Sequence, residues 1–458
     1  MTGPGFEQPR PPPSVSLPPT AGGSLRFGLG LALVACGAAV FSVVFRLALG
    51  AAMHSGYGAP DVVRAFHKLP WFYRLALPAC GGLLAGLVTL ASSSHPTRGQ
   101  GVGDVMEAVV FGEVHLSMRV TLRKSLGSWL AIVFGGSIGR EGPIIQFGGN
   151  LGQQLGDFLH LPARRGRALI AAGTAAGFAA AYNTPLAAVL FVMEVVTGIV
   201  ALDAILPALI AAALATSVTR AIAGGGPIYG ARAFALTSSY ELLAHALLGL
   251  LAALAAQGFM RVLSAGETLF ARSGLAQPFR AALGGLIVGA VACVCPEVTG
   301  NGYEPINLLL NGALPVSLFL WLFVAKAGAT TASVASGSPG GVFTPTLLLG
   351  ALLGGGFWHL LVRAFGAQAV GPMGGYALVG MAALTAATTH APLMAAVLVF
   401  ELSGDYAIVV PLMLATAVAM LVSRRMRADS VYMAELRRRG LGWEITLEGR
   451  RVRRASSG

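Results

Sequence analysis

The residues best suited to binding chemistry are glycines that precede two apolar segments. Gly-Gly-Ser-Ile-Gly-Arg-Glu-Gly-Pro occupies 135–143, and Ser-Pro-Gly-Gly-Val-Phe-Thr-Pro occupies 338–345. Proline suits the first turn of a helix, because its ring fixes a helical φ and its missing N–H needs no partner there. The glycines leave backbone N–H groups uncovered, and these donors favour an anion together with the positive end of the helix dipole. Two such helix starts that face each other would hold a dehydrated anion by partial charges alone.

Glu141 is the carboxylate within the first of these segments. An ionisable group at membrane depth is energetically expensive and is by default a functional candidate. At a helix start that favours anions, its carboxylate is a tethered anion that can occupy the site and leave when it is protonated or displaced. We therefore predict that Glu141 is a gate. The residue types alone leave a second interpretation open, in which Glu141 only pairs with Arg140 or caps its own helix.

The elements that must position these residues are membrane helices. The chain has 458 residues, of which 55% are hydrophobic and 11% are charged, whereas about 25% of a soluble domain is charged. So few charges cannot cover a soluble fold, and the surface must face lipid. Apolar segments between residues 27 and 422 could hold about ten or more spans, each needing about 20 residues. The sequence therefore predicts an all-α polytopic membrane protein.

The chain also repeats itself at an offset of 202 residues. The residues that recur are Lys124, Gly135, Gly139, Pro143, Gly148 and Gly152, which match Lys326, Gly337, Gly341, Pro345, Gly350 and Gly354. A second register, offset by 207, pairs Pro185 with Pro392 and Glu194 with Glu401. We predict a disordered Pro-rich tail, two membrane repeats and a basic cytosolic segment, with bounds 1–24, 25–228, 229–424 and 425–458.

The arginine distribution predicts how the repeats are oriented. The loop 162–167 carries three arginines, whereas its counterpart 366–374 carries no charge. Since basic loops stay on the cytoplasmic side, the two loops lie on opposite faces and the repeat is inverted. Ten of the 31 basic residues follow Ser423, which favours a cytoplasmic tail near anionic lipid. No nucleic-acid partner is expected, because this tail lacks interleaved aromatic residues.

Five motifs resemble those of the CLC family of chloride channels and proton/chloride antiporters. In chain order they are Gly-Arg-Glu-Gly-Pro (139–143), Asn-Thr-Pro-Leu-Ala (183–187), Gly-Asn-Gly-Tyr (300–303), Gly-Gly-Val-Phe-Thr-Pro (340–345) and Phe-Glu-Leu-Ser-Gly-Asp-Tyr (400–406). The resemblance extends over about residues 97–436. It implies a CLC-type fold of two inverted-topology repeats with tilted and discontinuous helices. It also implies a homodimer with one anion pathway in each subunit, with bound chloride ions and no other cofactor.

The resemblance also implies the site residues. Glu141 is the gate, and the anion contacts come from Gln100, Gly139, Arg140, Glu141, Gly142, Gly341, Val342, Phe343 and Tyr432. Tyr432 would offer its hydroxyl from the cytosolic side, although the sequence alone favours an interfacial aromatic residue at this position.

Two departures from the family bear on activity. The family motif Gly-Ser-Gly-Ile-Pro reads Gly-Gln-Gly-Val-Gly at 99–103, so Gln100 replaces the serine that contacts the ion. A longer amide donor changes the size of the site, which leaves the preferred small anion open, and Gln100 could also be a solvated loop residue. Antiporters of the family usually carry a glutamate after the position of Glu194, where this chain has Val195. Valine cannot accept a proton.

The sequence therefore favours a CLC-type channel that conducts chloride passively and is gated by Glu141. The alternative is a proton-coupled chloride antiporter on the same scaffold, since some antiporters lack that glutamate. No enzyme and no metal site are expected, because no metal-binding or nucleophile motif is present. The absence of targeting signals predicts a multi-pass protein of the cell (inner) membrane, with both termini cytoplasmic.

Other charged residues receive structural interpretations. Glu194 and Glu401 are predicted to satisfy helix ends. Lys124 and Lys326 are predicted to shape the anion-favouring field or to pair internally, and His390 to be a hydrogen-bonded core residue.

Overall fold

The computed structural model describes residues 21–90, 101–110, 112, 114–198, 202–226, 228–230, 238, 240–438, 440–446 and 449–454. The predicted N-terminal tail lies outside this description as far as residue 20, and the first helix begins at Ala21. Gln100 also lies outside the described residues.

The first half of the chain is a series of helices, several of them too short to span a bilayer. They are α1 (Ala21–Tyr57), α2 (Val62–Lys68), α3 (Trp71–Leu90), α4 (Val102–Val110), α5 (Met118–Val133), α6 (Glu141–Phe158), α7 (Ala163–Tyr182), α8 (Pro185–Phe191), which continues as a π-helical turn (Val192–Thr197), and α9 (Leu202–Ala223).

The second half contains the corresponding series. It comprises α10 (Glu241–Arg272), α11 (Gln277–Val294), a 3₁₀ turn (Pro296–Val298), α12 (Tyr303–Leu310), α13 (Ser317–Ala335), α14 (Phe343–Phe365), α15 (Met373–Thr389), α16 (Pro392–Ser403) and α17 (Val409–Met426). A short helix α18 (Val431–Arg438) follows α17.

A β-hairpin in the basic C-terminal segment is the exception to the all-α prediction. Strands β1 (Leu441–Thr446) and β2 (Gly449–Arg454) pair antiparallel, with Leu441 opposite Arg454 and Thr446 opposite Gly449. The strand sequence Gly-Arg-Arg-Val-Arg-Arg has a single apolar residue, so it lacks the alternation by which a strand is recognised from sequence.

The predicted repeat is visible in how equivalent helices end. Asn183 is the C-cap residue of helix α7 and His390 that of helix α15, with left-handed φ values of 60° and 57°. These two residues are 207 positions apart, the offset found in the sequence. His390 lies 3.4 Å from Ser423 through Nε2 and Oγ, which matches the predicted hydrogen-bonded core histidine.

The helices are suited to a bilayer. Among the described residues, eight helical stretches are long and apolar enough to cross a membrane. Large apolar side chains lie exposed on their outer faces, for example Leu243 on α10 and Leu320 on α13. The Arg165 guanidinium lies 5.8 Å from the Phe27 ring, so helix α1 begins on the face that carries the arginine-rich loop.

Glycines allow the helices of each repeat to pack backbone to backbone. A Cβ atom at Gly148 of α6 would overlap the carbonyl of Gly173 in α7, and a Cβ atom at Gly350 of α14 would overlap the carbonyl of Gly380 in α15. Small residues at such contacts let membrane helices approach closely, which supplies the packing that lipid does not drive.

We expect Gly173→Ala to destabilise the protein by about 1–3 kcal/mol, because the added methyl group forces α6 and α7 apart. Thermal unfolding in detergent would measure this as a lower Tm. Gly258→Ala in α10 is the matched control and should leave Tm unchanged, since its Cβ atom would meet nothing within 4 Å. A Gly173→Ala protein as stable as the parent would contradict this packing.

Candidate functional site

Two reciprocal hydrogen bonds join the glycine-rich segments at the centre of the molecule. The N–H of Gly139 donates to the Gly341 carbonyl at 2.7 Å, and the N–H of Gly341 donates to the Gly139 carbonyl at 3.0 Å. The two segments therefore meet, as the sequence predicts. Both glycines are expected anion contacts, but the N–H group of each donates to the carbonyl of the other. Their contribution is to join the two helix starts.

Two helices begin directly beside this bridge. Helix α6 begins at Glu141 after Arg140, and helix α14 begins at Phe343 after Val342. Neither preceding residue caps its helix through a side-chain hydrogen bond. Since the first four N–H groups of a helix have no partner inside it, both helix starts present backbone donors to the same region. The positive ends of the two dipoles converge there.

A cavity of about 600 Å³ connects these helix starts to helix α18. Its wall includes most of the predicted anion contacts, namely Glu141, Gly142, Gly341, Val342, Phe343 and Tyr432. The Tyr432 ring packs edge-on against Phe191 at 6.3 Å. The structure thus brings together residues that are as much as 291 positions apart in the sequence, from Glu141 to Tyr432. Basic side chains also line this cavity, among them Lys124, Arg280 and Arg427.

The Glu141 carboxylate is buried, with 2% of the residue exposed. Its Oε1 accepts a hydrogen bond from the Thr344 hydroxyl, at the start of helix α14. Its Oε2 has no hydrogen-bond partner among the described residues, and a Cβ atom at Gly139 would collide with it. The carboxylate of one repeat therefore lies against the helix start of the other.

The alternative pairing of Glu141 with Arg140 is not observed in the described part of the chain. The Arg140 guanidinium instead lies 5.0 Å from the centre of the Tyr303 ring. Arg140 is therefore the predicted anion contact whose side chain turns away from the cavity that Tyr432 lines.

A chain of hydroxyl groups leads to Glu141. The Tyr182 hydroxyl lies 2.9 Å from the Thr344 hydroxyl, which in turn bonds the carboxylate. While the carboxylate is ionised it can only accept, so Thr344 donates to it and Tyr182 donates to Thr344. Protonation of Glu141 would allow both bonds to reverse. Sequence reasoning missed these two hydroxyls, although Thr344 belongs to the Val-Phe-Thr-Pro motif and Tyr182 directly precedes the Asn-Thr-Pro motif.

The two repeat-related lysines have different partners. Lys326 is fully buried and donates to the carbonyls of Val298 and Gly300, both at 2.8 Å. Lys124 forms an ion pair with Asp104 at 3.0 Å. Each lysine is thus engaged within the protein, which agrees with the internal pairing predicted for them.

Glu194 and Glu401 cap helices of opposite repeats. Glu401 accepts from the N–H groups of Leu186 and Ala187 at 3.1 and 2.8 Å, at the start of α8. Glu194 accepts from the N–H groups of Leu393 and Met394 at 3.3 and 2.7 Å, at the start of α16. This reciprocal capping confirms the role predicted for both glutamates.

Comparisons with known proteins show what this chain is similar to. The family model described as "Voltage gated chloride channel" matches residues 79–424. The chain is 40% identical over 414 residues to a "Putative chloride channel protein ClcB-like" of Ralstonia nicotianae, covering 89% of this chain and 95% of that protein. It is 35% identical over 377 residues to the "Voltage-gated ClC-type chloride channel ClcB" of Salmonella typhimurium, covering 81% and 89%.

Solved structures show the same fold. A slow cyanobacterial Cl⁻/H⁺ antiporter superposes with a TM-score of 0.79 at 25% identity, covering 93% of this chain and 99% of that one. A CLC-type fluoride/proton antiporter superposes with a TM-score of 0.76 at 23% identity, covering 91% and 98%. The predicted fold class is confirmed.

We expect Thr344→Val to increase chloride efflux from reconstituted liposomes at neutral pH. The variant removes the donor that holds the Glu141 carboxylate, and a hydrogen bond to a charged group is worth enough to change the flux by about tenfold. Thr388→Val is the control, because that buried hydroxyl bonds only carbonyls of its own helix, those of Leu384 and Thr385. Equal flux through both variants would exclude Thr344 from holding the carboxylate.

Proposed function

This chain belongs to the voltage-gated chloride channel family, and on that premise we propose that it is a channel conducting chloride passively, with Glu141 as its gate. The observation that carries the proposal is the position of the Glu141 carboxylate. It lies at two joined helix starts, at the end of a cavity with basic residues in its wall. A negative group held there occupies the place that the same partial charges would offer to a free anion.

The proposed pathway runs from Tyr432 to Glu141. An anion entering from the α18 side first meets basic side chains and then the amides of Gly142, Val342 and Phe343. It advances when the Glu141 carboxylate leaves, either after protonation or by displacement. Because Lys124 is paired with Asp104 and the Arg140 guanidinium rests on the Tyr303 ring, the helix starts hold the anion mainly by partial charges, and it binds weakly enough to move on.

Val195 favours a channel over a proton-coupled exchanger. It lies buried in the π-helical turn, with 5% of the residue exposed. The neighbouring Glu194 carboxylate is engaged by the N–H groups of α16, so it does not substitute for the missing proton acceptor. Relatives that are 35–40% identical carry the name chloride channel. Passive conduction is the function that these observations support best.

Proton-coupled chloride exchange is the second candidate. Glu435 of α18 lines the same cavity as Tyr432 and Glu141, which places a carboxyl group on the α18 side of the pathway. The solved structures with the same fold include a Cl⁻/H⁺ antiporter. The two candidates share the anion site and differ in whether protons cross with the anion.

The membrane setting and the assembly are also part of the proposal. The chain is a multi-pass membrane protein, and we place it in the cell (inner) membrane with the arginine-rich loop, both termini and helix α18 on the cytoplasmic side. We propose a homodimer in which each subunit keeps its own pathway. Helices α8, α9, α16 and α17 pack in a row and expose apolar side chains, including Leu186, Leu206, Leu393 and Met413, which suits a partner subunit. The family is a transport family, and we propose no enzymatic activity.

Chloride flux from reconstituted liposomes, with the external pH recorded, tests the proposed function. We expect chloride to flow down its gradient without moving protons uphill, because no carboxyl group occupies position 195. Liposomes prepared without protein are the control. Chloride-driven uphill proton movement would overturn the channel and establish the exchanger.

We expect Glu141→Ala to conduct chloride with a weaker dependence on pH than the parent. The variant removes the tethered anion whose protonation opens the pathway. Glu141→Gln, a neutral side chain of the same shape, should behave in the same way. Flux that keeps the parent's full pH dependence in both variants would remove Glu141 from the gating mechanism.

A further inference from the structure

A second cavity lies on the other side of the helix starts from Tyr432. It has a volume of about 290 Å³, and its wall includes Arg46, Asp61, Arg140 and Glu304. From Phe27, near the arginine-rich loop, to Arg46 helix α1 rises about 28 Å, which is close to the thickness of a bilayer core. This second cavity therefore opens toward the outer face, and we name it the outer cavity.

Two arginines in the outer cavity have no carboxylate partner. Arg46 is the single charged residue between Arg26 and His54 in helix α1, where an uncompensated charge is costly. Arg140 directly precedes the gate and rests on the Tyr303 ring at 5.0 Å. Within the described part of the chain, neither guanidinium forms an ion pair. Both are half-buried and line the same cavity.

Glu304 lines the same cavity but does not neutralise the arginines. Its Oε2 atom is buried and has no hydrogen-bond partner among the residues that the structure describes. The charged groups that act on it are Asp61, which precedes α2, Arg140, which precedes α6, and Lys326 of α13. The Asp61 carboxylate is engaged by Arg64. It accepts a hydrogen bond from the Arg64 backbone N–H at 2.7 Å and forms an ion pair with the Arg64 side chain at 3.4 Å.

Opposite charges that line one cavity without touching leave room for a small ion between them. We propose that the outer cavity binds a permeant anion at Arg46 and Arg140, and that Glu304 opposes this binding unless it is protonated. The inference rests on the proposed function, because an anion bound in the outer cavity enters the pathway from the outer side when the Glu141 carboxylate moves away. Arg46, Arg140 and Glu304 thereby become determinants of outer anion affinity.

The sign of the coupling follows from the charges. An ionised Glu304 repels an anion held by the arginines, whereas a neutral Glu304 carboxyl group does not and can donate a hydrogen bond to it. Protonation of Glu304 and anion binding therefore favour each other, and by linkage each strengthens the other equally.

The test uses Glu141→Ala as the parent, so that the gate contributes no pH dependence. Chloride currents are measured in planar bilayers while chloride and pH are varied on the outer side only. In the parent, lowering the pH from about 7.5 to about 4.5 should reduce the half-saturating chloride concentration by about tenfold. Adding Glu304→Gln should hold that concentration at the low value at both pH values. Adding Arg46→Gln should raise the half-saturating chloride concentration about tenfold above that of the parent, and adding Arg46→Lys instead should leave it at the parent's value.

Glu297→Gln is the matched control, because this neighbouring glutamate pairs with His67 at 3.0 Å and does not line the outer cavity. It should behave as the parent does. The proposal is overturned if Glu304→Gln retains the parent's pH effect, or if Arg46→Gln leaves the half-saturating concentration unchanged.

Equilibrium titration of chloride into the purified proteins separates this inference from the proposed function. Weaker binding in Arg46→Gln than in the parent would support the outer site even if no current flowed, whereas equal binding would overturn it. Absent current in both the wild type and the Glu141→Ala parent would contradict the proposed channel instead. Matching Tm values for all variants would establish that the substitutions leave the fold intact.

Discussion

The pair of hydrogen bonds between Gly139 and Gly341 is the constraint on which the site depends. Backbone groups at membrane depth must find partners inside the protein, because lipid offers none. By bonding each other, the two glycines satisfy that need where both helices are broken and hold the starts of α6 and α14 together. A side chain at Gly139 would displace the gate residue, since a Cβ atom there would overlap Oε2 of the Glu141 carboxylate. The proposed anion site is the space that this junction leaves.

Three formal positive charges near the junction are engaged by other groups. Lys326 is bound to the two carbonyls of Val298 and Gly300, Lys124 to Asp104, and the Arg140 guanidinium rests on an aromatic ring. In the proposed function, an anion at the helix starts is therefore held mainly by peptide dipoles. Binding of this strength compensates for lost hydration without trapping the ion, which conduction requires.

The repeat makes the scaffold symmetric, whereas the proposed gate is not symmetric. Glu401 caps the start of α8, and Glu194, in the turn that follows α8, caps the start of α16. Asn183 and His390 follow equivalent helices and have the same left-handed conformation. At the junction, however, the first repeat contributes the Glu141 carboxylate and the second contributes the Thr344 hydroxyl that holds it. One symmetric frame thus places a titratable group of one repeat against a donor of the other.

The sequence alone determined the membrane setting, the repeat and the helix starts with Glu141, because charge content, glycine and proline positions and spacing are local properties of the chain. It also indicated that Glu194 and Glu401 bond the unpaired backbone groups at helix ends. Tertiary structure decided which groups meet. Tyr182, Thr344 and Glu141 form one hydrogen-bonded chain, and Arg46, Arg140 and Glu304 share one cavity, only because packing brings distant segments together. Tertiary structure also decided that the N–H groups of Gly139 and Gly341 bond each other's carbonyls. The sequence could not show this, because pairing between two distant segments is not encoded in the residues of either segment alone.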